Sequence, residues 1–411
     1  MRYKTSSISL QIILFICTFS IFSKAQNATE MELVFVHSIW RHGDRSQDGH
    51  LKNDPIDPSE WVKGGGGYGQ LTPEGMEQHY LLGKKLKNRY IQTGFLHDFY
   101  DSQQIYIRST DVNRTINSAF ANMLGMFSSG GRPGTDYPEL DGWPRGFMPV
   151  PIHSTGPASE DCVANAFLYI QLIHFPETVR NQSWYTDEFY ENLDELSRPP
   201  KLFVSGIYDP PVVSGINVKK EILKTRGGAL INEISARMRT KATCAKNQAK
   251  CDNYHRELKY YAYSTHDHTV FALLAVLGIE DVVAGPEKYG EWPDYASDLL
   301  VELFQNSTDQ KPYIRLLYQP NVNSDFEVVT QKMKGCKGLE YCDLKAFENR
   351  AKEFRPDRPM KDWCQVSPVP ENKVATWKKD LLHYEDDDPY NSASRRYWYL
   401  VTFVMAFGLF R

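Results

Sequence analysis

Three times along the chain an apolar run gives way to a short polar loop and then to a segment with helical periodicity. The first run, Glu32 to Ser38 (ELVFVHS), is apolar and β-branched enough to predict a buried strand. It leads into Arg41-His42-Gly43-Asp44-Arg45 and, later, a glycine-rich loop at Gly64 to Gly69. Thr72 and Pro73 then supply the N-cap and first-turn proline of a helix. The spacing puts Met76, Tyr80, Gly83, Leu86 and Tyr90 on one face, and Gly94 stops it. The second unit has a strand at Gln104 to Ile107, the loop Arg108-Ser109-Thr110-Asp111, and a helix capped by Thr110 or Asp111. Ile116, Phe120, Met123, Leu124 and Phe127 share a face of that helix, which ends at Gly130 to Gly134. The third has a strand at Leu258 to Tyr263, the loop Ser264-Thr265-His266-Asp267, and a helix from Thr269 to Leu277 closed by Gly278.

Three strand-to-helix units predict an α/β fold, a three-layer open sheet with helices on both faces. Ligands of such sheets bind beyond the carboxyl ends of the strands, which is where all three polar loops belong. Residues 151–250 lack such units and read as a smaller, mostly helical or irregular inserted domain covering one side of the site. Its clearest helix is Gly228 to Arg239. The core is then discontinuous, 30–150 and 251–370, followed by a tail at 371–411.

The loops carry the chemistry. Arg41 and Arg45 flank His42 on a turn that Gly43 permits, and a guanidinium fork fits phosphate oxygens and stays charged. Neighbouring arginines disfavour the protonated imidazole, which leaves it neutral and nucleophilic. Arg114 adds a guanidinium in the first turn of the second helix, where backbone N–H groups also favour anions. His266 and Asp267 add a donor and an acid. A divalent cation would be repelled by three arginines, so His266, Asp267 and His268 are a weaker reading as metal ligands. No cofactor is expected.

Arg41-His42-Gly43-Asp44-Arg45 resembles the RHGxR signature of the histidine acid phosphatase family, and His266-Asp267 resembles its distal HD pair. The likeness extends to QLTPEGMEQHYLLGKKLKNRY (70–90), IYIRSTDVNRT (105–115), RGGALINEI (226–234) and Tyr208-Asp209-Pro210. It implies an acid phosphatase that hydrolyses small-molecule or protein phosphate monoesters through a phosphohistidine on His42. Asp267 would protonate the leaving oxygen, and Arg41, Arg45, Arg114 and His266 would hold the phosphoryl oxygens; Arg108 is read as supporting or structural. The family also implies a large α/β domain with a smaller helical one, and often dimers. Two positions depart from its common pattern: Gln47 stands where many relatives have proline, and His268 where threonine is common. A pH optimum below about 6 is expected, because mild acid would give a neutral Asp267 and a singly charged ester together. A catalytically silent binding protein and a phytase-like specificity are the remaining alternatives.

Composition changes this picture little. Of 411 residues 41% are hydrophobic and 24% charged, and the net charge of −4 gives no global reason to expect nucleic acid or anionic membrane as partner. The ends matter more. Arg2, Lys4, the apolar Leu10 to Phe22 and Ser23-Lys24-Ala25 read as a signal peptide over 1–25. That directs the chain into the secretory pathway, to be secreted, lysosomal or cell-surface. Cys17 leaves with the signal, and an even six remain. Fifteen pairings are open to six cysteines; Cys244 with Cys251 and Cys336 with Cys342 would close small loops, leaving Cys162 with Cys364. Neither near pair has zinc-site spacing. Sequons make Asn27, Asn181 and Asn306 glycan candidates, whereas Asn113 adjoins Arg114 and is expected to stay unmodified. The apolar Tyr397 to Phe410 is short for a bilayer span and fits either a membrane attachment or a segment packed on the body.

Overall fold

The computed structural model of the protein describes residues 30–50, 54–155, 174–183, 185–189, 191–192, 206, 216–283, 292–336 and 338–357. The three expected strands form and run further than their apolar stretches: β1 (Met31–Arg41), β2 (Ile105–Thr110) and, after the short edge strand β3 (His153–Thr155), β4 (Tyr260–Thr265). They extend because backbone pairing continues under polar side chains, as in the parallel register of Arg41 with Thr265 and Ser109 with Ser264. Two strands lie outside the expected units, β5 (Asp298–Asn306) and β6 (Pro312–Gln319), an antiparallel hairpin. With β7 (Glu327–Val328) the sheet order is β3-β2-β4-β1-β5-β6-β7, and β8 (Cys342–Asp343) also pairs with β6. The sheet is therefore mixed, parallel from β3 to β1 and antiparallel beyond.

Helices cover both faces. Phe35 and Ile39 of β1 point to the side packed by α3 (Ala229–Lys246), α4 (Asp267–Leu277) and α5 (Leu344–Glu353), through Ile231, Ile234, Met238, Phe271, Leu274 and Phe347. Val36 and Trp40 point the other way, to α1 (Pro73–Leu86) and α2 (Asn113–Phe127) through Leu82, Leu86, Ala119 and Met123. Each fully buried aliphatic contributes about 1.5–3 kcal/mol, so the two cores hold the sheet rigid from both sides. α3 was expected to belong to the inserted domain. Its apolar residues Ile231, Ile234, Met238 and Ala242 pack in the core under the sheet.

The helix faces also differ from the apolar spacing. Met76, Phe120 and Leu124 are exposed, while Gly75, His79, Ser118, Asn122 and Gly125 face inward. α1 and α2 cross so closely that a Cβ on Gly83 would lie 2.1 Å from the Asn122 carbonyl oxygen, and one on Gly125 2.1 Å from that of Tyr80. Close helix contact selects small residues over large apolar ones. Cys244–Cys251 and Cys336–Cys342 are disulfides; Cys162 and Cys364 lie outside the described residues, as do 1–29 and 358–411. Among the described residues no helix is long and apolar enough to cross a membrane.

Candidate active site

The polar ends of β1, β2 and β4 are bound into one frame. The Trp40 indole N–H donates to Ser264 Oγ at 2.8 Å, and that hydroxyl donates to the Thr115 carbonyl at 2.6 Å, linking β1 to β4 and β4 to α2. The His42 backbone N–H donates to the Thr265 carbonyl at 3.0 Å. Immediately after, the loop runs against the start of α1, where a Cβ on Gly43 would meet the Gly75 carbonyl oxygen at 2.3 Å. Gly43 donates its N–H to Ser118 Oγ at 3.1 Å, and Asp44 donates its own to Gln78 Oε1 at 2.8 Å. Two glycines in contact let the loop lie flat on α1, with α2 holding it from the side.

His42 is 2% exposed, and its Nδ1 lies 2.7 Å from the Gly43 carbonyl oxygen. A carbonyl only accepts, so Nδ1 carries the proton and Nε2 keeps its lone pair. Burial pushes the ring's pKa well below 6.5, and Arg114, Arg41, His266 and Arg45 push it the same way. The His266 ring stands edge-on to it at 5.5 Å. His266 is itself held neutral, by burial first and then by His268 and Arg114, with Nε2 3.0 Å from Thr110 Oγ1.

Asp267 begins α4. Its Oδ2 lies 3.2 Å from Arg41 Nη2, and its Oδ1 accepts the His268 backbone N–H at 2.7 Å with the His268 ring Nδ1 at 3.3 Å. Burial raises its pKa, but Arg41 and His268 outweigh that and hold the carboxyl well below the usual range. Mild acid therefore does not by itself neutralise Asp267, contrary to expectation. Arg41 also donates to the Pro293 carbonyl at 2.8 Å and lies 4.1 Å over the Tyr295 ring, so it fixes Asp267 as well as flanking His42.

The sequence singled out Arg41, His42, Arg45, Arg114, His266 and Asp267, and the three loops bring them together. It missed Asp48, whose carboxylate meets Arg45 at 2.6 Å and Arg114 at 3.6 Å. It also missed the link from the loop to the segment after residue 173: Asp44 Oδ2 lies 3.1 Å from His174 Nε2 and accepts the Thr72 hydroxyl. His174 stacks edge-on to Trp61, part of a small cluster with Ile56, Val179 and Phe175. Gln47, the residue at the unusual position, is fully buried and donates to Asp54 Oδ2 at 2.8 Å. Arg108, read as supporting or structural, pairs at 2.8 Å with Glu233, which also pairs with Arg237. Among the glycan candidates Asn181 is exposed, Asn306 is 9% exposed with its Oδ1 accepting two backbone N–H groups, and Asn27 lies outside the described residues. Among the described residues no three His, Cys, Asp or Glu side chains converge as a metal site. A cavity of about 1250 Å³, lined by Lys85, Lys241, Lys259 and Glu302 among others, contains none of Arg41, His42, Arg45, Arg114, His266 and Asp267.

The profile of the histidine phosphatase superfamily (branch 2) matches residues 32–166 and 171–319. The chain belongs to that superfamily. A Caenorhabditis elegans relative named "Putative acid phosphatase F26C11.1" is 33% identical over 438 residues, covering 91% of this chain and 99% of its own. Prostatic acid phosphatase of Bos taurus is 30% identical over 363 residues, covering 77% and 84%. Among solved structures, Hafnia alvei phytase in complex with myo-inositol hexakis sulphate aligns at a TM-score of 0.50 and 14% identity, over 82% of this chain and 99% of that one. That likeness concerns the fold. As a member of the superfamily, the chain is a phosphatase of phosphate monoesters, and His42 and Asp267 both fall within the matched residues.

Proposed function

We propose that this chain is an acid phosphatase that works through a covalent phosphohistidine on His42, with no metal. The observation that carries the reading is the Nδ1 contact with the Gly43 carbonyl, which leaves a neutral ring with a free Nε2 lone pair beside three arginines. Nε2 attacks phosphorus, the bond to the leaving oxygen breaks, and the guanidinium groups take up the charge that shifts onto the phosphoryl oxygens. The leaving oxygen needs a proton. Asp267 is ionised in the free protein, so the proton enters with the singly charged ester and Asp267 relays it. Water then attacks phosphorus and gives a proton to Asp267, and the bond to Nε2 breaks. Asp267 passes the proton to the departing phosphate, which leaves singly charged and restores a neutral His42 and an ionised Asp267. The acid preference follows from the ester, whose second pKa lies near 6.

Two disulfides and the signal-like first 25 residues support a place in the secretory pathway. The test is hydrolysis of a phosphate monoester panel by the purified chain at pH 4 to 7, with and without chelator. The reading expects turnover that a chelator leaves intact, that falls above about pH 6, and that His42→Ala lowers by three orders of magnitude or more. Loss of activity on chelation with recovery on adding zinc or magnesium would overturn the metal-free mechanism.

A further inference from the structure

Arg45 and Arg114 come from different strand-to-helix units, and both are buried, at 8% and 5% exposure. One carboxylate spans them: Asp48 Oδ2 lies 2.6 Å from Arg45 Nη2, and Asp48 Oδ1 lies 3.6 Å from Arg114 Nη1. Two oxygens of one anion on two guanidinium forks is the arrangement expected for two equatorial oxygens of a phosphoryl group. The Asp48 Oδ1 atom is buried and accepts no hydrogen bond among the described residues, so its contact with Arg114 at 3.6 Å is one of charge. Gly69, at φ +69°, leaves the room for it, since a Cβ there would lie 3.3 Å from Arg114 Nη1 and 3.5 Å from Asp48 Oδ1.

We propose that Asp48 is a built-in competitor for the phosphate-binding arginine pair. The proposal rests on the phosphatase reading and deepens it. An ester must displace the carboxylate from Arg45 and Arg114, and the product phosphate is displaced by it in turn. Binding shared by substrate and product slows turnover once the site is saturated, so a competitor that weakens both holds favours product release. The displaced carboxylate stays close to the entering anion and repels further negative charge at short range. The site therefore favours esters whose only anion is the scissile phosphate over polyphosphorylated ones.

The test measures binding of inorganic phosphate by calorimetry at low ionic strength, on wild type, Asp48→Asn and Asp48→Ser, with thermal melts to confirm folding. Removing the charge is expected to tighten phosphate binding at least fivefold in both variants. In turnover assays the Ki for phosphate and the KM for a simple aryl phosphate fall together. The KM for inositol hexakisphosphate falls further. Unchanged or weaker phosphate binding in folded Asp48→Asn and Asp48→Ser would overturn the proposal, since a carboxylate that merely orients the arginines should weaken binding when removed. Absence of both phosphate binding and ester turnover in wild type and variants alike would overturn the proposed mechanism itself, and this proposal with it.

Discussion

Asp267 sits between two groups that draw off its proton, the Arg41 guanidinium at 3.2 Å and the His268 ring and backbone on its other oxygen. In the proposed mechanism a carboxylate held in that way acts as a relay, and its value depends on how badly the leaving oxygen needs a proton. Asp267→Asn is expected to lower kcat by roughly 10²–10⁴ for an alkyl phosphate. It should cost far less for p-nitrophenyl phosphate, whose leaving group departs as an anion. Steady-state kinetics on the two substrates checks this; equal losses on both would contradict the relay. At this scale the candidate residues could be picked out because His42 follows β1, Arg114 lies in the first turn of the helix after β2, and Asp267 opens the helix after β4. Asp48 was not picked out, nor was the contact of His268 with Asp267. Their roles depend on which way a side chain turns after the loop has folded, and no spacing rule encodes that.

At the scale of elements, the catalytic loop is shaped by what α1 omits. A Cβ on Gly75 would stand 2.2 Å from the Asp44 carbonyl oxygen and 2.7 Å from its nitrogen, both backbone atoms that cannot yield without moving the loop. Gly75→Ala is expected to destabilise the fold by about 1–3 kcal/mol, and to lower kcat by shifting His42. Urea unfolding and steady-state rates measure the two effects. The strand–loop–helix units were legible from apolar runs with capping residues behind them. The buried faces of α1 and α2 were less so, since their contact is made by Gly83 and Gly125 rather than by the large apolar residues that periodicity favours. The β5–β6 hairpin had a signal: two apolar runs, LLVELF and YIRLLY, flank the polar NSTDQKP. Its antiparallel pairing lies outside the strand-to-helix pattern that organised the reading.

For the whole molecule, acid has opposing effects on stability. His37, His42, His79 and His266 are buried and held neutral, so below about pH 6.5 the unfolded chain takes up protons that the folded chain refuses. Stability from these groups is complete above that pH and is lost as pH falls. Asp298, fully buried with both oxygens accepting from Ser38 Oγ, is pushed up to about 7 by burial. Its contribution has the other sign: it is complete below the unfolded value near 3.8 and is lost as pH rises toward 7, a difference of roughly 4 kcal/mol across that window. His79, lowered to about 3 by burial, donates from Nε2 to the Arg41 carbonyl at 3.0 Å. His79→Gln keeps a donor and removes the titration. The pH slope of its unfolding free energy between about 6.5 and 3 should be less steep than that of wild type by up to about 1.4 kcal/mol per pH unit. Chemical denaturation at a series of pH values reads the difference.

Trapping the covalent intermediate bears most directly on the role given to the buried imidazole. The protein would be mixed with excess p-nitrophenyl phosphate at acid pH, quenched within milliseconds into alkaline denaturant, digested and analysed by mass spectrometry. A phosphoryl group on the peptide containing His42, absent from His42→Ala, is the predicted result. A phosphoryl group on any other side chain, or turnover that persists in His42→Ala, would contradict it.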